Sequence, residues 1–263
     1  MNTALLGCAA FFAYGFAAIF LALRLQRQEQ NQDGQLAGQL PALAGFIAHS
    51  SLVASMFMDG MNFAFFNSLA LFAWIITGLL MLSTLRWPLS SLGILVYPIA
   101  GLCAVVFGLT VSNQESSPHN LSPILQLHII SSVFAYSMLS LAGLQAIILA
   151  IQDHQLHNHK PGGFVRSLPP LQTMEHLMFR VIGAGFILLS LALASGFVVV
   201  EDLFTHKIIF SVIAWLIFAT LLIGRWQAGW RGRKAIRFIL SGISFLILAF
   251  FGSKLVLELI LGN

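Results

Sequence analysis

The chain has 263 residues, 58% of them hydrophobic and only 8% charged, with a formal net charge of +4. A water-soluble domain of that composition lacks the polar surface to cover itself, so the bilayer is the expected solvent. The basic residues show no aromatic interleaving, and nucleic acid is not an expected partner.

Eight apolar stretches are long enough to cross about 30 Å of hydrocarbon as helices, and alternation of the outer-membrane-strand type is absent. The expected fold class is therefore all-α, a polytopic membrane helical bundle. The first span, Ala4 to Leu23, has no basic flank before it and no small-residue cleavage pattern after it, so it reads as a retained span rather than a removed signal peptide. The second, Leu40 to Phe57, carries His49 near its middle. The third, Phe66 to Thr84, and the fourth, Leu92 to Val111, carry no histidine or charge. The fifth, Ile124 to Ile151, opens with His128.

A polar stretch from Gln152 to Phe179 follows, punctuated by Pro161-Gly162-Gly163 and Pro169-Pro170. In it Thr173 is expected to cap a short amphipathic entry helix, with Glu175 in the first turn. The sixth span is Val181 to Val200, the seventh Ile208 to Ile223 with His206 just before it, and the eighth Phe238 to Leu257. No soluble segment of domain size interrupts them, and no residue pattern establishes a repeat, so residues 1–263 are expected to form a single membrane domain. Cys8 and Cys103 lie in separate spans without C-x-x-C spacing and read as packing residues.

Orientation follows from the cations, because Lys and Arg near span ends stay cytoplasmic. Arg24, Arg27, Arg86, Lys160, Arg166, Arg180, Arg225, Arg231, Arg233, Lys234 and Arg237 fall on alternate loops, leaving only Lys207 and Lys254 on the other side. The expectation is N-out and C-out in a bacterial cytoplasmic (inner) membrane.

Ionisable groups inside a bilayer are costly, so a polar side chain within an apolar span is a functional candidate. His49 could make an interhelical hydrogen bond, ligate a haem or metal, or relay protons. His128 and His206 share the outer membrane face, and haem iron takes axial nitrogens from opposite sides of the macrocycle, so a bis-histidine pair is permissible. Interfacial placement is the competing reading of His206. His154, His157 and His159 could form a metal tract or simply be solvated. No H-E-x-x-H, G-x-S-x-G or Walker A pattern occurs, and no span carries a carboxylate at its middle, so an enzyme is not expected and a transporter is disfavoured.

From the fifth span onward, local patterns accumulate. Leu127-His128-Ile129 continues to Phe134-Ala135-Tyr136 and Leu141-Ala142-Gly143. Arg180-Val181-Ile182-Gly183 runs on to Ser195-Gly196, and Gly229-Trp230-Arg231-Gly232-Arg233-Lys234-Ala235 precedes Phe250-Phe251-Gly252-Ser253-Lys254. The chain in this respect resembles the cytochrome c assembly family (CcsA, CcmC and HemX-like proteins) over about residues 124–263, most like its short eight-span branch. The resemblance implies that His128 serves an external haem. Lys207 and Trp215 align with family positions, but the Trp-rich segment expected between Gly196 and Trp215 is shortened to Glu201-Asp202-Leu203-Phe204-Thr205-His206-Lys207. The family's late histidine has no counterpart, and another family histidine falls on Ile223.

The expected function is therefore haem binding or handling, with haem b on His128 and His206 as iron ligands and His49 at a possible internal site. Phe204, Phe210 and Trp215 are candidates to pack against the macrocycle. The expected partners are the lipid bilayer, haem and another membrane protein. The alternatives are a non-catalytic scaffold or regulatory subunit that has lost haem, favoured by the missing tryptophans, and efflux of a small solute or metal ion.

Overall fold

The computed structural model describes residues 2–27, 32–58, 65–85, 90–110, 122–158, 165, 168–199 and 206–252. Among them are eight α-helices: α1 (Thr3–Gln26), α2 (Gln32–Met58), α3 (Phe65–Thr84), α4 (Gly93–Thr110), α5 (Pro123–His157), α6 (Leu171–Val199), α7 (His206–Ala228) and α8 (Gly232–Ile247). A 3-10 turn, Ser90–Leu92, leads into α4, and a π-helical turn, Leu248–Gly252, continues α8. No strand occurs among the described residues. The all-α polytopic expectation holds.

Among the described residues seven helices, α1 to α7, are long and apolar enough to cross a membrane. The eighth differs from its expected Phe238 to Leu257 span. As an α-helix α8 has only 16 residues, about 24 Å at 1.5 Å per residue, and it starts six residues earlier in the basic stretch of Arg233, Lys234 and Arg237. Residues 253–257 of the expected span lie outside the described residues.

The chain groups into two compact units, one of Met1–His119 with Gly162–Leu168 and the other of Asn120–Pro161 with Pro169–Asn263. In the first, α1 packs along α4 and α2, and α3 lies on α4. Close backbone approach decides the α1–α4 seam: a Cβ on Gly7 would stand 2.7 Å from the Ala104 carbonyl oxygen, and one on Gly108 2.5 Å from that of Thr3. Van der Waals contact between small residues is the main attraction available to helices in lipid. The Thr3 hydroxyl adds a 3.0 Å hydrogen bond to the Gly108 carbonyl.

In the second unit α5 packs along α6 and against α8, and α7 contacts α6 and α8. Polar pins fix these helices. Gln145 Nε2 donates to the Met174 carbonyl at 2.8 Å, and Gln152 Nε2 to that of Pro169 at 3.0 Å. Trp215 Nε1 donates to Ser190 Oγ at 2.8 Å, while its ring stacks on Phe186 at 5.3 Å.

These pins explain a correction. The polar stretch after Ile151 is not all loop: α5 continues to His157, and α6 begins at Leu171, ten residues before the expected start of the sixth span. Thr173 does not cap a separate entry helix. Pro169-Pro170 end the preceding chain, and the N–H groups of Thr173 and Met174 already donate to the Pro170 carbonyl, at 2.9 and 3.2 Å. Polar composition hid a helix that Gln145 and Gln152 hold in place.

Candidate functional site

His128 stands in the second turn of α5, half-buried, at the end of the second unit opposite the basic termini of α7 and α8. Ser122 caps this helix by accepting from the Leu125 N–H at 3.3 Å, and Pro123 supplies a first-turn residue that needs no donor partner. The backbone before His128 is thus set by ordinary helix-start chemistry.

The Nδ1 of His128 lies 2.9 Å from the Ala192 carbonyl oxygen of α6. A carbonyl can only accept, so Nδ1 carries the proton and donates, and in the neutral ring Nε2 keeps its lone pair. Nε2 makes no hydrogen bond among the described residues. This is the arrangement by which a protein orients a metal-ligating imidazole and selects its tautomer. Ser195 Oγ is 3.5 Å from the same nitrogen while donating to the Leu191 carbonyl at 2.8 Å. Gly196 leaves room for the ring, since a Cβ there would lie 3.0 Å from His128 Cε1.

Two turns further along α5, the Tyr136 hydroxyl meets Ser211 Oγ of α7 at 3.3 Å. Tyr136 also packs on Phe250 of the π-helical turn, ring centroids 5.7 Å apart, and Lys207 Nζ lies 5.3 Å from the Phe250 centroid. Lys207 is within electrostatic range of His128. His128, Lys207, Phe250, Tyr136 and the Ser195-Gly196 step therefore gather at one end of this unit.

His206 occupies the first position of α7 and is exposed. Its chain neighbour Lys207 takes the place beside Phe250. Of the expected aromatic neighbours, Trp215 is engaged with Ser190 and Phe186, Phe210 packs on Phe245 at 6.1 Å, and Phe204 lies outside the described residues.

His49 lies within the first unit and is fully buried. The Tyr14 ring of α1 meets it edge-on at 6.1 Å, and Tyr14 stacks on Tyr97 of α4 at 5.8 Å. Among the described residues neither ring nitrogen has a hydrogen-bond partner in full bonding geometry, and the Ala70 backbone of α3 faces the ring.

His154 and His157 sit in the last turns of α5, both exposed, with His154 Nε2 bonded to the Asn158 amide at 3.1 Å; His159 lies outside the described residues. No group of three or more metal-ligating side chains occurs among the described residues.

At the far end of the second unit, Glu175 is buried in the second turn of α6. Its Oε1 accepts from the Gly232 N–H at 3.2 Å and lies 3.5 Å from Arg225 Nη1, which donates to the Trp230 carbonyl at 3.1 Å. Arg225 also covers the Phe179 ring at 4.6 Å, and Lys234 covers Trp230 at 3.5 Å. Gly229 and Gly232 take φ of +62° and +56°, a left-handed conformation that strains other L-residues. The Gly-Trp-Arg-Gly-Arg loop is thus a folded cap on α7 and α8, built around one carboxylate.

The family model described as cytochrome C assembly protein matches residues 34–261. The chain belongs to the cytochrome c assembly family. The match reaches well upstream of residue 124, where the resemblance was first legible, and takes in His49. The inner membrane protein YpjD of Escherichia coli is 35% identical over 170 residues, covering 63% of this chain and 64% of that protein. The matched region thus spans less than two thirds of that relative's length. The cytochrome c biogenesis protein CcsA of Chlamydomonas reinhardtii is 28% identical over 201 residues, covering 70% of this chain and 55% of that one. CcsA of Prochlorococcus marinus is 26% identical over 285 residues, covering 91% and 88%. No solved structure matches. The apolar helices and the inner-membrane relative together make this member of the cytochrome c assembly family a multi-pass protein of the bacterial inner membrane.

In this family member, sequence reasoning singled out His128 but missed the residues that orient it. Ala192, Ser195 and Gly196 are small, common residues that carry no signal of their own. Glu175 stood out only as a helix-start carboxylate, although its partners Arg225 and Gly232 belong to the very motif that carried the family resemblance.

Proposed function

We propose that the protein binds haem b at the outer end of its second unit as part of cytochrome c biogenesis, with His128 Nε2 as an iron ligand. The observation that carries this reading is the Nδ1–H bond to the Ala192 carbonyl, which leaves Nε2 free and aims a neutral imidazole. Family membership and the CcsA relatives support a haem-handling role. Bound haem would supply the iron centre; the chain's own part is to fix the imidazole, provide aromatic surface at Phe250, which Tyr136 backs from within, and hold the site at the outer face.

His206, exposed at the first position of α7, is assigned as the second iron ligand, and His49 as the ligand of an internal site. For His49 the support is full burial with neither nitrogen hydrogen-bonded among the described residues, a costly arrangement that a ligand would relieve. The orientation with both termini outside, read from the cation asymmetry, puts His128 and Lys207 on the outer side.

The test is an ultraviolet-visible spectrum, oxidised and reduced, of detergent-purified protein expressed with ample haem. The expected result is a bis-histidine-type spectrum lost in His128→Ala and His206→Ala and kept in His157→Ala, at the opposite end of α5. A colourless wild type that copurifies stoichiometrically with another membrane polypeptide would replace this reading with the scaffold function, which the shortened Trp segment favours.

A further inference from the structure

From α7 a cation, Lys207, also reaches the neighbourhood of His128, one residue after His206. Lys207 and Ser211 are one turn apart on the same face of α7, and Ser211 bonds Tyr136, two turns below His128 on α5. Lys207 therefore sits on the His128 side of the Tyr136–Ser211 contact. Its ammonium rests against the Phe250 ring, which in turn packs on Tyr136.

A lysine in the first turn of α7 is in an unfavourable place, since helix N-termini attract anions and repel cations. No acidic residue occupies that turn, and among the described residues no carboxylate pairs with Lys207. The ammonium and the helix N-terminus on which it stands favour one kind of ligand, an anion. The adjoining ring of Phe250 calls for that anion to be attached to a broad apolar body.

We propose that Lys207 is the anchor for a propionate carboxylate of the tetrapyrrole, seated beside Phe250 while His128 takes the iron. This rests on the haem reading above and adds to it a determinant of ligand choice: the site selects a macrocycle with free carboxylates. Lys207 acts on the periphery of the ligand and leaves the iron coordination to His128.

The experiment titrates detergent-purified full-length protein with iron protoporphyrin IX and, in parallel, with its dimethyl ester, whose propionates carry no charge. Wild type, Lys207→Gln, Lys207→Arg and His128→Ala are compared. Wild type is expected to prefer the free acid. Lys207→Gln should weaken the free acid about tenfold, the scale of one charge-assisted hydrogen bond, leave the ester unchanged and keep the Soret position. Lys207→Arg should restore the preference. Equal affinity of wild type for acid and ester, or an equal loss of both in Lys207→Gln, overturns the Lys207 assignment while His128-dependent binding still upholds the haem site. If wild type binds neither compound, the haem reading falls and the anchor falls with it.

Discussion

The imidazole of His128 and the carbonyl of Ala192 are 2.9 Å apart, and because the carbonyl can only accept, this contact fixes which nitrogen of the ring is free. A hydrogen bond between residues 64 positions apart in sequence thus selects the tautomer of the candidate iron ligand.

Gly196→Val is expected to push the His128 ring off the Ala192 carbonyl, because even a Cβ at this position would lie 3.0 Å from Cε1. Overpacking of this kind costs about 1–3 kcal/mol. Haem content should fall several-fold while the protein still folds, as judged by detergent size-exclusion profile. An unchanged spectrum would show that the ring has room to turn without losing the ligand.

His49→Leu should raise the thermal stability of the haem-free protein. Removing a buried imidazole with two unpartnered nitrogens relieves a desolvation cost of about 1–3 kcal/mol, offset in part by imperfect filling of the space. The same substitution should lower total haem per protein by removing the ligand of the internal site. A less stable apoprotein would mean that the imidazole is satisfied in the folded state.

Glu175→Ala takes from Arg225 its ion-pair partner and from the Gly232 N–H its acceptor. Breaking a largely buried pair is destabilising, here by about 2 kcal/mol after allowance for partial exposure. The loss should appear as a lower unfolding temperature and faster proteolysis at the Gly229–Arg233 loop. A double-mutant cycle with Arg225→Ala should show coupling, and additive effects would argue against a shared network.

Gly224→Val should expel the Trp230 ring, which packs directly on that glycine. A red shift of tryptophan emission is the expected signature, since Trp230 would pass from the α7–α8 cap into a wetter setting. Emission identical to wild type would place Trp230 elsewhere in the native protein.

Reporter fusions test the orientation. Fusions at Asn263 should be active with a periplasmic reporter, and fusions in the loop around Arg231 only with a cytoplasmic one. The opposite pattern would move the His128 site to the cytoplasmic face.

How much of this was legible beforehand depended on the range of the interaction involved. Apolar runs reveal membrane helices because the bilayer demands an uninterrupted local property, and seven of the eight expected spans correspond to helices that meet it. Where polar side chains take part in helix packing, the same rule misled: Gln152 and the first turns of α6 look like loop until their bonds across the helices are seen. His128 was visible as a histidine opening an apolar span within a family-like pattern, whereas its tautomer was not.

The sequence by itself determined the solvent, the helical class, the family pattern and the histidine to watch, all properties of local composition and spacing. Tertiary structure alone decided that the helices gather as two units of four, that Glu175 organises the glycine-rich loop, and that Lys207 rather than His206 stands beside Phe250. Adjacent residues on a helix point about 100° apart, so which of two neighbours meets a given ring depends on how the helix is rotated against its partners. That rotation is set by contacts such as Tyr136–Ser211 and Trp215–Ser190, between residues far apart in the chain.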